Sequence, residues 1–195
     1  MFSQFAFGRE FFATLEAIDR KIAGEVGASR CRRCGGPLHR GDYDRKPRGA
    51  VFAPEGETFV VRFSFCCGAE GCRKRATPPS LRFLGRRVYL GAVVLVASVL
   101  AQALTQAAEI RTATGVPART VRRWLDWWRG GFLSTAVFVA LRARLVGLAV
   151  DQIPAAILTA LPGAIEEQVR AMLRLLCPLS TTSVREGAGL SRVTA

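Results

Sequence analysis

Six cysteines punctuate this chain, and five of them fall into two groups, Cys31-Arg32-Arg33-Cys34 and Cys66-Cys67-Gly68-Ala69-Glu70-Gly71-Cys72. Two thiolates two residues apart can close on one metal ion, because a tight turn brings both sulfurs to the ~2.3 Å of a zinc–sulfur bond. A second pair from a distant turn completes a tetrahedron and staples together what lies between. The spacing therefore predicts a structural zinc site held by Cys31, Cys34, Cys67 and Cys72, with Cys66 an alternative to its neighbour. Adjacent side chains on a strand point to opposite faces, so Cys66 and Cys67 cannot both turn inward. Four thiolates leave no open position for a catalytic water, so this metal would hold a fold and perform no chemistry. A redox dithiol would call for a βαβ pattern after the first pair, and Gly35-Gly36-Pro37 is a turn. A disulfide framework would call for a secretory leader, and Met1 to Phe7 carry no basic segment of that kind. His39, the only histidine, reads as a surface or strand residue, and Cys177 as a buried free thiol.

The formal charge is +13, from 28 basic and 15 acidic residues. So large a positive field points to nucleic acid or an anionic membrane surface. With its cysteines reduced for metal binding, the protein is expected in the cytoplasm. Two apolar runs bear on the membrane alternative. Val88 to Leu104 is uncharged, but its length of about seventeen residues sits at the lower limit for a span. Phe132 to Val150 carries Arg142 and Arg144 near its centre, which is costly in lipid. Both are read as buried helices, and a membrane partner is not expected.

Several elements must position the cysteines. Arg9 to Val26 predicts an amphipathic helix, with Phe11, Phe12, Leu15, Ile18 and Ile22 near helical spacing and Glu10, Glu16, Asp19, Arg20 and Lys21 elsewhere. Thr58 to Phe65 alternates as a strand, with Phe59, Val61, Phe63 and Phe65 on one face. Cysteine turn, charged loop, strand, cysteine turn is the order of a zinc ribbon. Arg73, Lys74 and Arg75 follow Cys72 directly; they are placed either to meet phosphates or to form a solvated cluster. Pro78-Pro79 marks a boundary, with residues 80–87 as a linker.

Beyond it comes the apolar helix, then a helix capped by Thr105 that runs through Ala107, Ala108, Ile110 and Ala113. Gly115-Val116-Pro117 forms a turn, and a further helix starts near Ala118. In it, Val121, Trp124, Leu125 and Trp128 recur at i, i+3, i+4 and i+7, giving one apolar face, while Arg119, Arg122, Arg123 and Asp126 occupy the other. A recognition helix needs one side packed on partner helices and a basic side for the major groove. Arg119 and Thr120, near its amino end, are placed for base edges, and arginine is the side chain best suited to bidentate contact with guanine. The plainer alternative is an amphipathic surface helix with solvated arginines. Phe132–Val150, Ala155–Leu161 and Ala164–Leu176 read as helices that complete the core or make a dimer contact, and from Ser180 a disordered tail is expected.

The paired cysteines, Phe63-Ser64-Phe65-Cys66-Cys67, Cys72-Arg73-Lys74-Arg75 and Gly115-Val116-Pro117-Ala118-Arg119-Thr120-Val121-Arg122-Arg123-Trp124 together resemble the amino-terminal parts of bacterial insertion-sequence transposases and their accessory proteins. The resemblance covers roughly residues 29–130. It implies a zinc ribbon followed by a helix-turn-helix that binds transposon ends, with a transposase or a second copy as partner. One position departs from the pattern: Arg111, four before the turn glycine, stands where a small residue is usual, which implies a longer turn or different helix packing. Transposases of this kind cut DNA with three carboxylates and two magnesium ions. After the turn-and-helix stretch the remaining acids of note are Asp151, Glu166, Glu167 and Glu186, in segments broken by Pro154 and Pro162. No enzyme activity is expected.

The sequence thus predicts a mostly α fold with a small β zinc ribbon, divided as 1–28 (amphipathic helix), 29–79 (ribbon), 80–131 (helix-turn-helix), 132–179 (carboxy-terminal helices) and 180–195 (tail). The predicted function is zinc-stabilised binding of double-stranded DNA, in a transposition accessory or regulatory role. The alternatives are a membrane-associated protein with a cytosolic zinc module, or a zinc-stapled protein-interaction module.

Overall fold

The computed structural model describes residues 6–48, 50–85, 88–143 and 147–182. Among them the chain is mostly α with a small antiparallel sheet. The first helix, α1 (Arg9–Gly27), buries Phe11, Phe12, Leu15 and Ile22 as their spacing predicts. Five short strands follow: β1 (Leu38–Arg40), β2 (Tyr43–Asp44), β3 (Val61–Arg62), β4 (Phe65–Cys67) and β5 (Arg75–Ala76). The helical remainder is α2 (Gly91–Gln102), α3 (Ala107–Thr114), α4 (Ala118–Arg129), α5 (Ala136–Arg142), α6 (Ala155–Ala160) and α7 (Ile165–Leu176).

The expected strand over Thr58–Phe65 is broken. Pro54–Thr58 is a 3₁₀ turn, and the rest divides between a three-stranded sheet in the order β1-β4-β5 and a β2-β3 pair, all antiparallel. The cause is Asp42, whose carboxylate takes the Ser64 amide at 2.9 Å and displaces the ladder partner there. Backbone bonds on either side, Gly41 N to Ser64 O and Arg45 N to Val60 O, keep the two halves in one long hairpin. Phe63 and Arg62 are both buried, so strict alternation fails at the break.

α2 is apolar all round because it is buried all round: every residue from Gly91 to Ser98 is inaccessible. It packs against α3, α4 and α7 and forms the axis of the core. The core is one cluster that runs from Phe7 through Phe83, Trp128 and Met172 to Cys177. Cys177 is buried, as its isolation in the sequence predicts. No helix is long and apolar enough to cross a membrane, among the described residues.

Four further expectations change. Ser80 to Leu84 is no linker but a buried segment, tied to α1 by Asp19. Asp19, read as part of the polar side of α1, is buried. The cap of α3 is Gln106 and not Thr105, and the Glu109 carboxylate returns to the Gln106 amide at 3.3 Å. The expected tail also begins later than Ser180. That residue is buried, its hydroxyl accepts the Ser80 amide at 2.8 Å, and Thr181 donates to the Thr77 carbonyl at 2.9 Å. Residues 183–195 of the expected tail lie outside the described residues.

Candidate metal centre and basic helix face

Register decides which cysteine turns inward. β1 pairs with β4 so that Leu38 faces Cys67 and His39 faces Cys66. Cys67 is buried, and its sulfur lies 3.4 Å from that of Cys34. Cys66 points the other way and its thiol donates to the Arg73 carbonyl at 3.3 Å. Cys31 and Cys72 place their sulfurs 3.8 Å apart. The ligand atoms of Cys31, Cys34, Cys67 and Cys72 all lie within 4.8 Å of one another. Sulfurs at ~2.3 Å from a tetrahedral ion stand about 3.8 Å apart, and a disulfide needs ~2.05 Å. The spacings fit four ligands of one metal and not two disulfides.

The turns around these sulfurs are built for anions. The Arg33 and Cys34 amides hydrogen-bond the Cys31 sulfur and pull its pKa from 9.0 down to about 7, against the effect of burial. The Ala69 amide acts likewise on Cys67, but burial and the Cys34, Cys31 and Cys72 sulfurs outweigh it and push that thiol up to about 12. At Cys34 the Gly36 amide favours the thiolate, but the Cys72 sulfur, burial and the Cys31 sulfur together outweigh it, so the net shift is upward. Peptide donors thus favour thiolates at three ligands while the crowded sulfurs oppose shared negative charge. A divalent cation removes that opposition. Gly36 holds the two cysteine turns together: a Cβ there would stand 2.8 Å from Ala69 Cβ and 3.1 Å from the Cys67 sulfur.

The second candidate surface is α4. Val121, Trp124, Leu125 and Trp128 are buried, as predicted, and Tyr89 meets Trp124 edge-on at 5.1 Å. Arg119, Arg122, Arg123 and Asp126 are exposed, Thr120 is half-buried, and Arg129 extends the basic face by another turn. Arg129 follows Asp126 by three residues and was legible from the same periodicity. Trp127 packs on Trp128 and Phe132. α3 and α4 are joined by three residues. Gly115 sits at φ +70° and its amide closes on the Arg111 carbonyl at 2.8 Å; a left-handed helix end of this kind favours glycine. The turn is short, and Arg111 projects to solvent. Arg73, Lys74 and Arg75 are exposed beside the cysteine cluster, on a different element from α4.

No protein-family model, curated protein or solved structure matches this chain.

Proposed function

We propose that the chain is a zinc-stapled DNA-binding protein in which α3, the Gly115 turn and α4 act as a helix-turn-helix. The single observation that carries this reading is the division of α4: four large apolar side chains buried against the core, four arginines exposed with one carboxylate. α4 would lie in the major groove, with Arg119 and Thr120 at base edges and Arg122 and Arg123 clamping the walls. Arg73, Lys74 and Arg75 would add phosphate contacts. The four thiolates would take zinc as a fold-holding ion, since this donor set closes the coordination sphere. The resemblance to insertion-sequence proteins suggests an accessory or regulatory role at element ends, without catalysis.

The test is equilibrium binding of the metal-loaded chain to duplex DNA. Arg122→Ala with Arg123→Ala is expected to weaken binding and relax base preference. Unchanged DNA binding in that double variant would remove α4 as the reader. If the wild type binds no duplex and instead retains a protein partner regardless of those arginines, the chain is an interaction module.

A further inference from the structure

Several basic side chains of the cysteine half are already committed to partners. Arg82 is held by Asp19 and Glu16, Arg40 pairs with Asp42, Arg20 with Glu16, and Arg62 is buried against the Pro78 carbonyl. Arg30, Arg32, Arg33 and Lys74 differ: all are exposed, and none pairs with a carboxylate among the described residues. These four, with Arg75, line one cavity of about 560 Å³ beside Cys31, and no acidic residue lines it.

Two features make the cavity more than a loose cluster. Arg32 and Arg33 stand between two cysteines of the cluster, so the bonds Cys31 N to Gly36 O and Gly35 N to Cys31 O fix the backbone that carries them, and a chelated metal would fix it further. Arg75 is braced as well: its guanidinium donates to the Gly41 carbonyl at 3.2 Å and the Ser64 hydroxyl at 3.1 Å, and it lies over the Tyr43 ring at 5.4 Å. Held cations cost less ordering entropy on binding than mobile ones.

We infer that this cavity is a second DNA contact, a phosphate-backbone clamp built on the metal centre that grips the duplex without reading its sequence. The inference rests on the DNA-binding reading above and adds Arg30, Arg32 and Arg33 to it. The occupant follows from the charge: five cations with no competing carboxylate suit a polyanion, and duplex DNA presents one charge per ~1.7 Å of axis. Its apolar lining is aliphatic, from Val26, Leu38 and Ala76, with no aromatic ring for a base to stack on, so its contribution is the salt-dependent, sequence-independent part of the affinity.

The experiment is a salt titration of the metal-loaded full chain on a duplex of random sequence, with three variants. For Arg30→Gln, Arg32→Gln and Arg33→Gln combined, the slope of log affinity against log salt is expected to shrink by about 2 to 3, since each lost phosphate contact removes ~0.9. A second variant, Arg30→Gln with Lys74→Gln, leaves the residues between Cys31 and Cys34 untouched. It guards against a folding defect and is expected to lose about 2. Arg122→Ala with Arg123→Ala tests the helix in parallel. Wild-type binding with unchanged slopes in both cavity variants would overturn the clamp and leave the DNA-binding reading intact. No wild-type binding at low salt would overturn both.

Discussion

Arg82 Nε stands 2.9 Å from Asp19 Oδ2, with both side chains shut away from solvent. Asp19 also accepts the Ser80 hydroxyl and the Leu81 amide, each at 2.6 Å, and Arg82 spends its other nitrogens on Glu16 and the Phe59 and Val61 carbonyls. This network pins α1 to the segment between β5 and α2, and through the Ser80 amide and Ser180 hydroxyl it reaches the end of the described chain. Removing Asp19 leaves the buried guanidinium with only the partly exposed Glu16 as a carboxylate and strips the Ser80 hydroxyl and Leu81 amide of their acceptor, which costs about 3–5 kcal/mol. Asp19→Ala is therefore expected to lower the unfolding free energy by that order in urea. Asp19→Leu combined with Arg82→Met should recover most of it, because no lone charge remains.

The four-cysteine cluster separates adjacent cysteines. Cys67→Ser removes a buried sulfur of the four-cysteine cluster, whereas Cys66→Ser removes a thiol whose partner is the Arg73 carbonyl. Metal content of the purified variants should fall for the first and match the wild type for the second. Gly36→Ala should also weaken metal retention, since its Cβ would press on Ala69 and the Cys67 sulfur.

At the α3–α4 turn, Gly115→Ala places a side chain at φ +70°, with its Cβ 3.1 Å from Val51 Cγ1. A left-handed non-glycine residue costs about 1 kcal/mol or more. Thermal unfolding should shift down accordingly, and a DNA affinity that depends on α4 should fall further than stability alone explains.

Burial raises the Cys177 thiol above its ordinary value of 9.0. Above pH 9 the unfolded chain releases this proton while the folded chain keeps it. The unfolded state then binds fewer protons, and stability falls as pH rises. The contribution is fully present below 9.0 and disappears as pH climbs through the raised folded value. The loss is at most about 1.4 kcal/mol per pH unit. It is measured as the difference between wild type and Cys177→Ala in denaturant titrations at about pH 8 and about pH 10, on either side of the free-thiol range. Equal pH slopes in the two proteins would refute it.

The cysteine pairs and the apolar face of α4 were legible because each is a local pattern: ligand spacing within a turn, and a 3.6-residue period in a helix. Neither needed knowledge of a distant partner. Asp19 was misplaced for the opposite reason. Four residues after Leu15 and three before Ile22, it falls on the buried face by helical spacing, but its charge set it with the polar side, and the partner that makes burial tolerable, Arg82, lies 63 residues further on. Residues 80–84 looked like a linker because proline, serine and arginine signal loops. The arginine proved to be a buried cross-link. The strand at Thr58–Phe65 was interrupted by Asp42, a side chain on the other arm of the hairpin. Choosing Cys67 over Cys66 needed strand register, which composition cannot supply.

The most direct test of the central claim is duplex binding by the metal-loaded chain across a range of salt, compared with Arg122→Ala/Arg123→Ala and with the chelated wild type. The account predicts affinity that falls steeply with salt, drops about tenfold or more in the double variant, and collapses on chelation. Wild-type affinity in the double variant, or no binding by the wild type at low salt, would contradict it.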